Sequence, residues 1–332
     1  MPYNHLTENE RYVISHLKLA GFSLREIGRR TGRHHTSISR EIELNRPTYA
    51  DDAVYRYYVT HPVAIKRRRK ARHHRRRNHG RLFAYVTAKT GLDWSPEAIS
   101  ARLRLDYPND IKMRVSPETI YRWIYSDANQ GGDLYRHLRR CHKRRSRQKR
   151  YGTGRRFIPG RVSIDQRPPV VNTRERFGDW EGDTLEGRKG TGGLVTHVER
   201  KCRYLLAAKL TDKKAVTMTQ QSIEVFRRTP RVLRQTLTVD NGKEFSRFKE
   251  LKTKTGLEVY FADPYAAWQR GTNENTNGLL RQYFPKGTDF RNVSEKDVAI
   301  VVKKINNRPR KCLNYQTPHE VYCQALRGCG AL

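Results

Sequence analysis

The chain has 332 residues, 68 of them Lys or Arg against 33 Asp or Glu, for a formal net charge of +35. That length allows two or three domains, and so large a cationic excess calls for a polyanionic partner. No stretch approaches the roughly 18 consecutive apolar residues of a membrane-crossing helix, so no membrane is expected. The opening MPYNHLTENERYV lacks the basic-then-apolar design of a secretory signal. Cys141, Cys202, Cys312, Cys323 and Cys329 form no C-x-x-C pair and have no His at zinc-finger spacing. They read as free thiols in a reducing compartment, which predicts a cytoplasmic protein that meets nucleic acid.

Residues 6 to 45 predict three short helices. Thr7 caps the first, which ends at Gly21; Ser23 caps SLREIGRR; Gly32 supplies the turn before HHTSISREIELN. Ile38 and Ile42, four apart, pack the third helix on the others. This is a helix-turn-helix whose third helix presents His35, Thr36, Ser39 and Arg40 to base edges and phosphates in a major groove. Residues 66 to 77, KRRRKARHHRRR, hold nine Lys or Arg, two His and no acid, and read as a solvated linker or arm against phosphates. Between 92 and 140 the repeated Ser95-Pro96-Glu97-Ala98-Ile99 and Ser116-Pro117-Glu118-Thr119-Ile120 start two more helices, Ser as cap and Pro at the first position. The second of these leaves Thr119 and Arg122 outward, as a second reader helix would. Residues 139 to 161, with eleven Lys or Arg, no acid and several Gly, read as an extended linker.

From about 171 the texture becomes α/β: strands at 178–186, 193–199, 203–210, 235–240 and 258–262, with helices at 213–227, 244–255, 273–284 and 294–306. That order predicts a mixed sheet with helices on both faces. In DWEGDTLEG, strand alternation puts Asp179, Glu181 and Asp183 on one face, and periodicity leaves open which of them matters. Asp240 ends a strand before Asn241-Gly242, at the carboxyl end where open sheets place their chemistry. Glu274, Asn277, Gly278 and Arg281 make the polar face of a helix. Convergent carboxylates suit hard divalent cations, which need oxygen ligands, and two such ions can stabilise both oxygens of an in-line phosphoryl displacement. No Ser-His-Asp or Cys-His grouping and no nucleotide-binding Gly-rich loop competes with them.

The segments LTENERYVI, GFSLREIGRRTGRHHTSISREIELN, FGDWEGDTLEG, LVTHVERKCRYLL, TLTVDNGKEF and YAAWQRGTNENTNGLLRQYFPKGTDF resemble the insertion-sequence-thirty family of bacterial transposases. Asp240 and Glu274 have 33 residues between them, which is the family's spacing. The resemblance implies a multidomain chain: all-α helix-turn-helix units, then an α/β ribonuclease-H-like catalytic domain. The expected boundaries are a helix-turn-helix domain over 1–50, a basic linker over 51–90, a second helical DNA-binding unit over 91–145, a basic linker over 146–170, the catalytic core over 171–310 and a tail over 311–332. It implies Asp183, Asp240 and Glu274 as metal ligands and catalytic residues, choosing Asp183 over Asp179 and Glu181. Two Mg2+ ions, with Mn2+ as a substitute, are the expected cofactors. Asn241, Asn273 and Arg281 are expected DNA or supporting contacts. The implied partners are double-stranded DNA, as terminal inverted repeats and as target, and further copies of the chain, since two element ends must be paired. The expected place is the bacterial cytoplasm, on the nucleoid. A repressor or domesticated transposase without catalysis, and a nuclease that cuts without joining, are the competing readings. The loop Asp263-Pro264-Tyr265-Ala266-Ala267 departs mildly from the more Ser- or Pro-rich family pattern.

Overall fold

Caps written into the sequence set the first helices. The computed structural model describes residues 5–45, 54–77, 79–139, 158–264 and 266–330, excepting the side chains of 70–77 and 267, and divides into units 1–83 and 84–332. In the first, Thr7 and Glu10 form a reciprocal capping box at the start of α1 (Glu8–Leu19). Ser23 caps α2 (Leu24–Thr31), which ends on Gly32 with φ +65°, a left-handed turn that glycine adopts without strain. The third helix, α3 (His35–Leu44), is capped by the His34 ring, which accepts from the Thr36 N–H. Ile14, Ile27 and Ile38 are fully buried between the three. A Cβ on Gly28 would lie 2.7 Å from the Arg33 carbonyl oxygen, so α2 and the chain entering α3 approach closely only because that side chain is missing. Polar groups close the unit as well: buried Arg11 pairs with Glu41 at 2.7 Å, and Arg33 with Glu10 at 2.8 Å.

The basic run expected as a solvated linker is helical. It forms the second half of α4 (Tyr57–Arg77), because Arg, Lys and Ala are strong helix formers and because the helix has an anchor. Arg67 donates to Asn45 Oδ1 at 3.1 Å and to the Leu44 carbonyl at 3.2 Å.

The second unit begins inside α5 (Gly80–Gly91) and continues with α6 (Pro96–Asp106) and α7 (Pro117–Ala128), both with Ser caps and Pro in the first turn. Ile99, Leu103, Ile120 and Ile124 are buried. After residues 140–157, which include most of the expected second basic linker and Cys141 and lie outside the described residues, the short α8 (Val170–Thr173) leads into the sheet.

Five strands, β1 (Asp179–Glu186), β2 (Gly193–Glu199), β3 (Leu205–Leu210), β4 (Thr236–Val239) and β5 (Glu258–Phe261), stand in the order β3-β2-β1-β4-β5. The first three form an antiparallel meander, while β4 and β5 run parallel to β1. This is the mixed α/β sheet expected from the sequence. One face carries Trp180, Leu237, Val239 and Phe261 against α9 (Ala215–Arg227), α10 (Phe248–Thr255) and α13 (Pro318–Gly328). The other buries Leu185, Leu194 and Val198 against α11 (Gly271–Leu280) and α12 (Glu295–Asn306).

Two expected boundaries fall inside this unit. The tail is part of the core, since Tyr322 of α13 is buried and stacks on Tyr204 at 4.1 Å between centroids. The second helical unit is tied to the sheet domain: Arg102 bonds both oxygens of Glu320, and Asp93 accepts from Tyr283 Oη at 2.7 Å. The Arg102 guanidinium holds the Glu320 carboxyl down at about 2. A depressed acid contributes stability above its unfolded value that disappears as pH falls through its folded value. Urea melts should therefore show a wild-type advantage over Glu320→Gln that is constant at neutral pH and shrinks from about 4.5 towards about 2. An advantage that persists undiminished at the acid end contradicts this. The carboxylate is partly exposed, so solvent screening keeps the effect modest.

Candidate active site at the ends of β1 and β4

Along β1 the three acids on one face meet different fates. Asp179 is buried, held by Arg176 Nε and Nη2, each at 2.9 Å, and by Thr236 Oγ1 at 2.7 Å. Glu181 is also buried, 3.2 Å from Arg200 Nη1, and accepts the Asn273 N–H at 2.9 Å. Both are structural. Asp183, two residues on, keeps about a quarter of its side chain accessible, at 26%. The β1–β4 pairing sets Glu181 opposite Thr238 and ends there; Asp183 lies two residues further along β1, and Asp240 is the first residue past β4.

Backbone and side-chain donors hold this pair. The Thr184 N–H donates to Asp183 Oδ1 at 2.8 Å, Asn277 Nδ2 to Asp183 Oδ2 at 3.2 Å, and the Gly242 N–H to Asp240 Oδ1 at 2.9 Å. Arg270 reaches both acids, Nη1 lying 3.4 Å from Asp183 Oδ2 and Nη2 3.6 Å from Asp240 Oδ2. Its approach is fixed by Gln269, which exchanges two 2.8 Å hydrogen bonds with Asp263. Burial pushes the Asp183 carboxyl up; Arg270 opposes the rise, while Asp240 and Glu244 add to it. Glu244 accepts from Thr184 Oγ1 at 3.1 Å.

Such a site calls for positive charge. Two carboxylates on neighbouring strands, one penalised for being charged, already draw a guanidinium to both, and their hard oxygens suit a divalent cation. Glu274 stands exposed on α11, and among the described residues no three His, Cys, Asp or Glu side chains cluster at metal-holding distance. The structure brings Asp183 and Asp240 together and leaves Glu274 apart from them.

Other expected contacts divide in the same way. Asn273 is completely buried; its side chain donates to the Glu181 and Thr196 carbonyls at 2.7 and 3.2 Å. Asn241 is buried too, donating to the Ala262 carbonyl and accepting from Arg161. Neither is placed to touch DNA: each satisfies backbone groups that burial would otherwise orphan. Arg281 is half-buried and points at the Phe284 and Pro285 carbonyls. Thr36, Arg40 and Arg122 are exposed, whereas His35, Ser39 and Thr119 are partly so, with Arg122 engaged by Glu118 at 3.2 Å. Arg270, Asn277 and Glu244 were given no role from sequence; the Arg four residues before Glu274 was the available signal. No helix among the described residues is long and apolar enough to cross a membrane.

Residues 3–45 match the model of a family described as a helix-turn-helix domain. The chain is 38% identical over 322 residues to the transposase for insertion sequence element IS4351 of Bacteroides fragilis, covering 97% of this chain and 96% of that one. It is 39% identical over 329 residues to the transposase for IS1086 of Cupriavidus metallidurans (98% and 96% covered), and 37% identical over 328 residues to the transposase InsI for IS30A of Escherichia coli (96% and 83%). Among solved structures, the catalytic core domain of BIV integrase is 18% identical with a TM-score of 0.37, covering 46% of this chain and 98% of that one. Because the identity to the named transposases runs from the helix-turn-helix through the acid-bearing strands to α13, the chain belongs to the insertion-sequence-thirty family of transposases.

Proposed function

We propose that this protein is the transposase of an insertion sequence: α1–α3 bind the terminal inverted repeats, and the sheet domain cuts and joins DNA at Asp183 and Asp240, with Glu274 completing the ligand set. The observation that carries this reading is that Asp183, within β1, and Asp240, just past the carboxyl end of the parallel neighbour β4, are both reached by Arg270, in a chain of this family. Mg2+, or Mn2+ in its place, would be held by these carboxylates as two ions that stabilise the attacking and leaving oxygens of an in-line displacement. The Asn277 amide and the Thr184 and Gly242 N–H groups orient the acids, leaving their other lone pairs for ligation. Water attacks the phosphodiester at the element's end, and the freed 3′-hydroxyl then attacks the target duplex, with no covalent enzyme intermediate. Exposed Glu274 joins the pair when DNA settles along α11, as catalytic contacts often tighten only in the complex. In this reading α7 is a second reader through Thr119 and Arg122, the chain works as a homo-oligomer that pairs two ends, and its place is the bacterial cytoplasm on the nucleoid.

The test is an end-labelled fragment from the element's own terminus incubated with the full chain, Mg2+ and a target duplex. Cleaved ends and strand-transfer products are expected. Binding alone would favour the repressor reading, and cleavage without joining the nuclease reading. On the DNA-binding side, Arg40→Ala should weaken end binding by roughly tenfold or more, as for a lost contact of about 1–3 kcal/mol, while leaving turnover of the saturated complex intact. Unchanged affinity in a gel-shift titration removes Arg40 from the reader face.

A further inference from the structure

Beside the first turns of α11 lies a pocket of about 190 Å³ lined by Arg174, Arg203, Arg310, Thr272, Asn275 and Thr276. Three guanidinium groups share its wall, and no Asp or Glu lines it. Among the described residues, none of the three arginines forms an ion pair, whereas nearby Arg200 is engaged by Glu181. Arg203 is aimed by a 2.7 Å hydrogen bond from Nη1 to Thr272 Oγ1. Among the described residues the Arg310 side chain reaches only the Ile305 carbonyl, at 3.5 Å, and its buried Nε has no partner.

Backbone and electrostatics point the same way. Arg174 and Arg203 adopt left-handed conformations, φ +58° and +63°, Arg174 as the carboxyl-terminal cap of α8 and Arg203 in the turn between β2 and β3, and these two turns bring their side chains to the pocket wall. Burial, then Arg203 and Arg200, lowers the pKa of Arg174, with Glu181 a partial offset; burial, then Arg308, Arg139 and Arg203, brings Arg310 down to about 10. Charges that repel one another in a shared cavity lack a counter-anion. The amino-terminal end of ten-residue α11 adds its positive dipole end.

We propose that this pocket binds one backbone phosphodiester of the DNA strand lying along α11, fixing the strand against that helix. The inference rests on the transposase reading for the identity of the anion's source. Thr272 and Thr276 lie within roughly 3 Å of rise of Glu274 but on the opposite side of α11, so a phosphate held here grips the strand on the flank of the helix whose exposed side carries that acid. Three guanidinium donors, one of them aimed by Thr272, suit the unesterified oxygens of a phosphodiester.

The experiment measures binding and needs no catalysis. Full-length wild type, Arg174→Gln, Arg203→Gln and the charge-keeping Arg203→Lys are titrated, without divalent metal, against element-end duplexes in which single phosphates are replaced in turn by uncharged methylphosphonates. At one position the replacement should weaken wild-type binding by about tenfold or more yet cost Arg174→Gln and Arg203→Gln nothing further, while Arg203→Lys retains most of the sensitivity. The salt slope of each Gln variant should fall by about one counterion. Thermal melts check folding, and should one Gln variant melt early the other carries the comparison. Identical responses of wild type and Gln variants at every position overturn the proposal. A melting-temperature rise with inorganic phosphate that Arg203→Gln loses, without any coupled backbone position, also overturns it and assigns the pocket to a free anion. A wild type that shows the coupling but never cuts or joins DNA defeats the transposase reading and leaves the phosphate site standing.

Discussion

Asp183→Asn and Asp240→Asn each reduce strand cleavage and joining by about 10³-fold or more, with end binding unchanged within roughly threefold. A metal clamp on a transferring phosphoryl group supplies several kcal/mol of charge stabilisation, and each 1.4 kcal/mol is about tenfold in rate. Asn preserves the shape of each side chain and can keep the hydrogen bonds from Thr184 and Gly242, while an amide nitrogen in place of the second oxygen removes the charge and, at 183, the acceptor of Asn277 Nδ2. Folding should not suffer, because Asp183 is penalised for its charge by burial and by Asp240. The measurement is single-turnover cleavage of a labelled end at saturating protein. Glu274→Gln belongs in the same series, since its exposed side chain predicts loss of chemistry without loss of stability. Full activity in Glu274→Gln beside a dead Glu244→Gln would transfer the third ligand to Glu244, and residual activity in both Asp variants would end the carboxylate mechanism altogether.

Replacing Arg200 with Leu has the largest expected effect on folding. Arg200 and Glu181 are both buried, 3.2 Å apart, and Glu181 also receives the Asn273 N–H. Removing one partner of a buried pair leaves an uncompensated charge and costs about 3–5 kcal/mol. For a unit of this size that is a fall of roughly 10 °C in melting temperature. Pairing Arg200→Leu with Glu181→Gln should recover much of the loss, since the charge that made it costly is gone. Calorimetry decides: a single variant that melts within a degree or two of wild type, or a double variant worse than the single, contradicts the account. Because Glu181 also anchors the start of α11, Arg200→Leu should lower cleavage even at temperatures where the protein stays folded.

Much of this was legible because local rules and tertiary packing agree. Thr7, Ser23, Ser95 and Ser116 cap the helices they were expected to cap, and β1, β2 and β3 lie where alternation and turn residues put them. The family assignment followed from the resemblance of the quoted segments, and relatives named as transposases bear it out. Periodicity could place Asp179, Glu181 and Asp183 on one face but could not rank them, since their difference lies in partners distant in sequence: Arg200 and Asn273 for Glu181, Thr236 for Asp179. The same reason hid Asn241 and Asn273. A polar residue beside a candidate acid looks like a contact until the carbonyls it satisfies are known. The helical state of the basic run was misjudged because charge density speaks to solvation, while helix propensity and the anchor at Asn45 decide conformation.

The contacts that fasten α6 to α13 and Asp93 to Tyr283 have a practical consequence for anyone isolating the catalytic part. A fragment started at residue 171, where strand-like sequence begins, strips Arg102 from Glu320 and Asp93 from the Tyr283 hydroxyl. It also removes the Val162 carbonyl, which receives the Phe261 N–H, and the bridge from Ser163 to Phe261. That uncovers the outer edge of β5, and a bared strand edge is a template for pairing with other chains. Such a fragment should aggregate, whereas one begun near residue 84 keeps its own edge guard and its polar clasps.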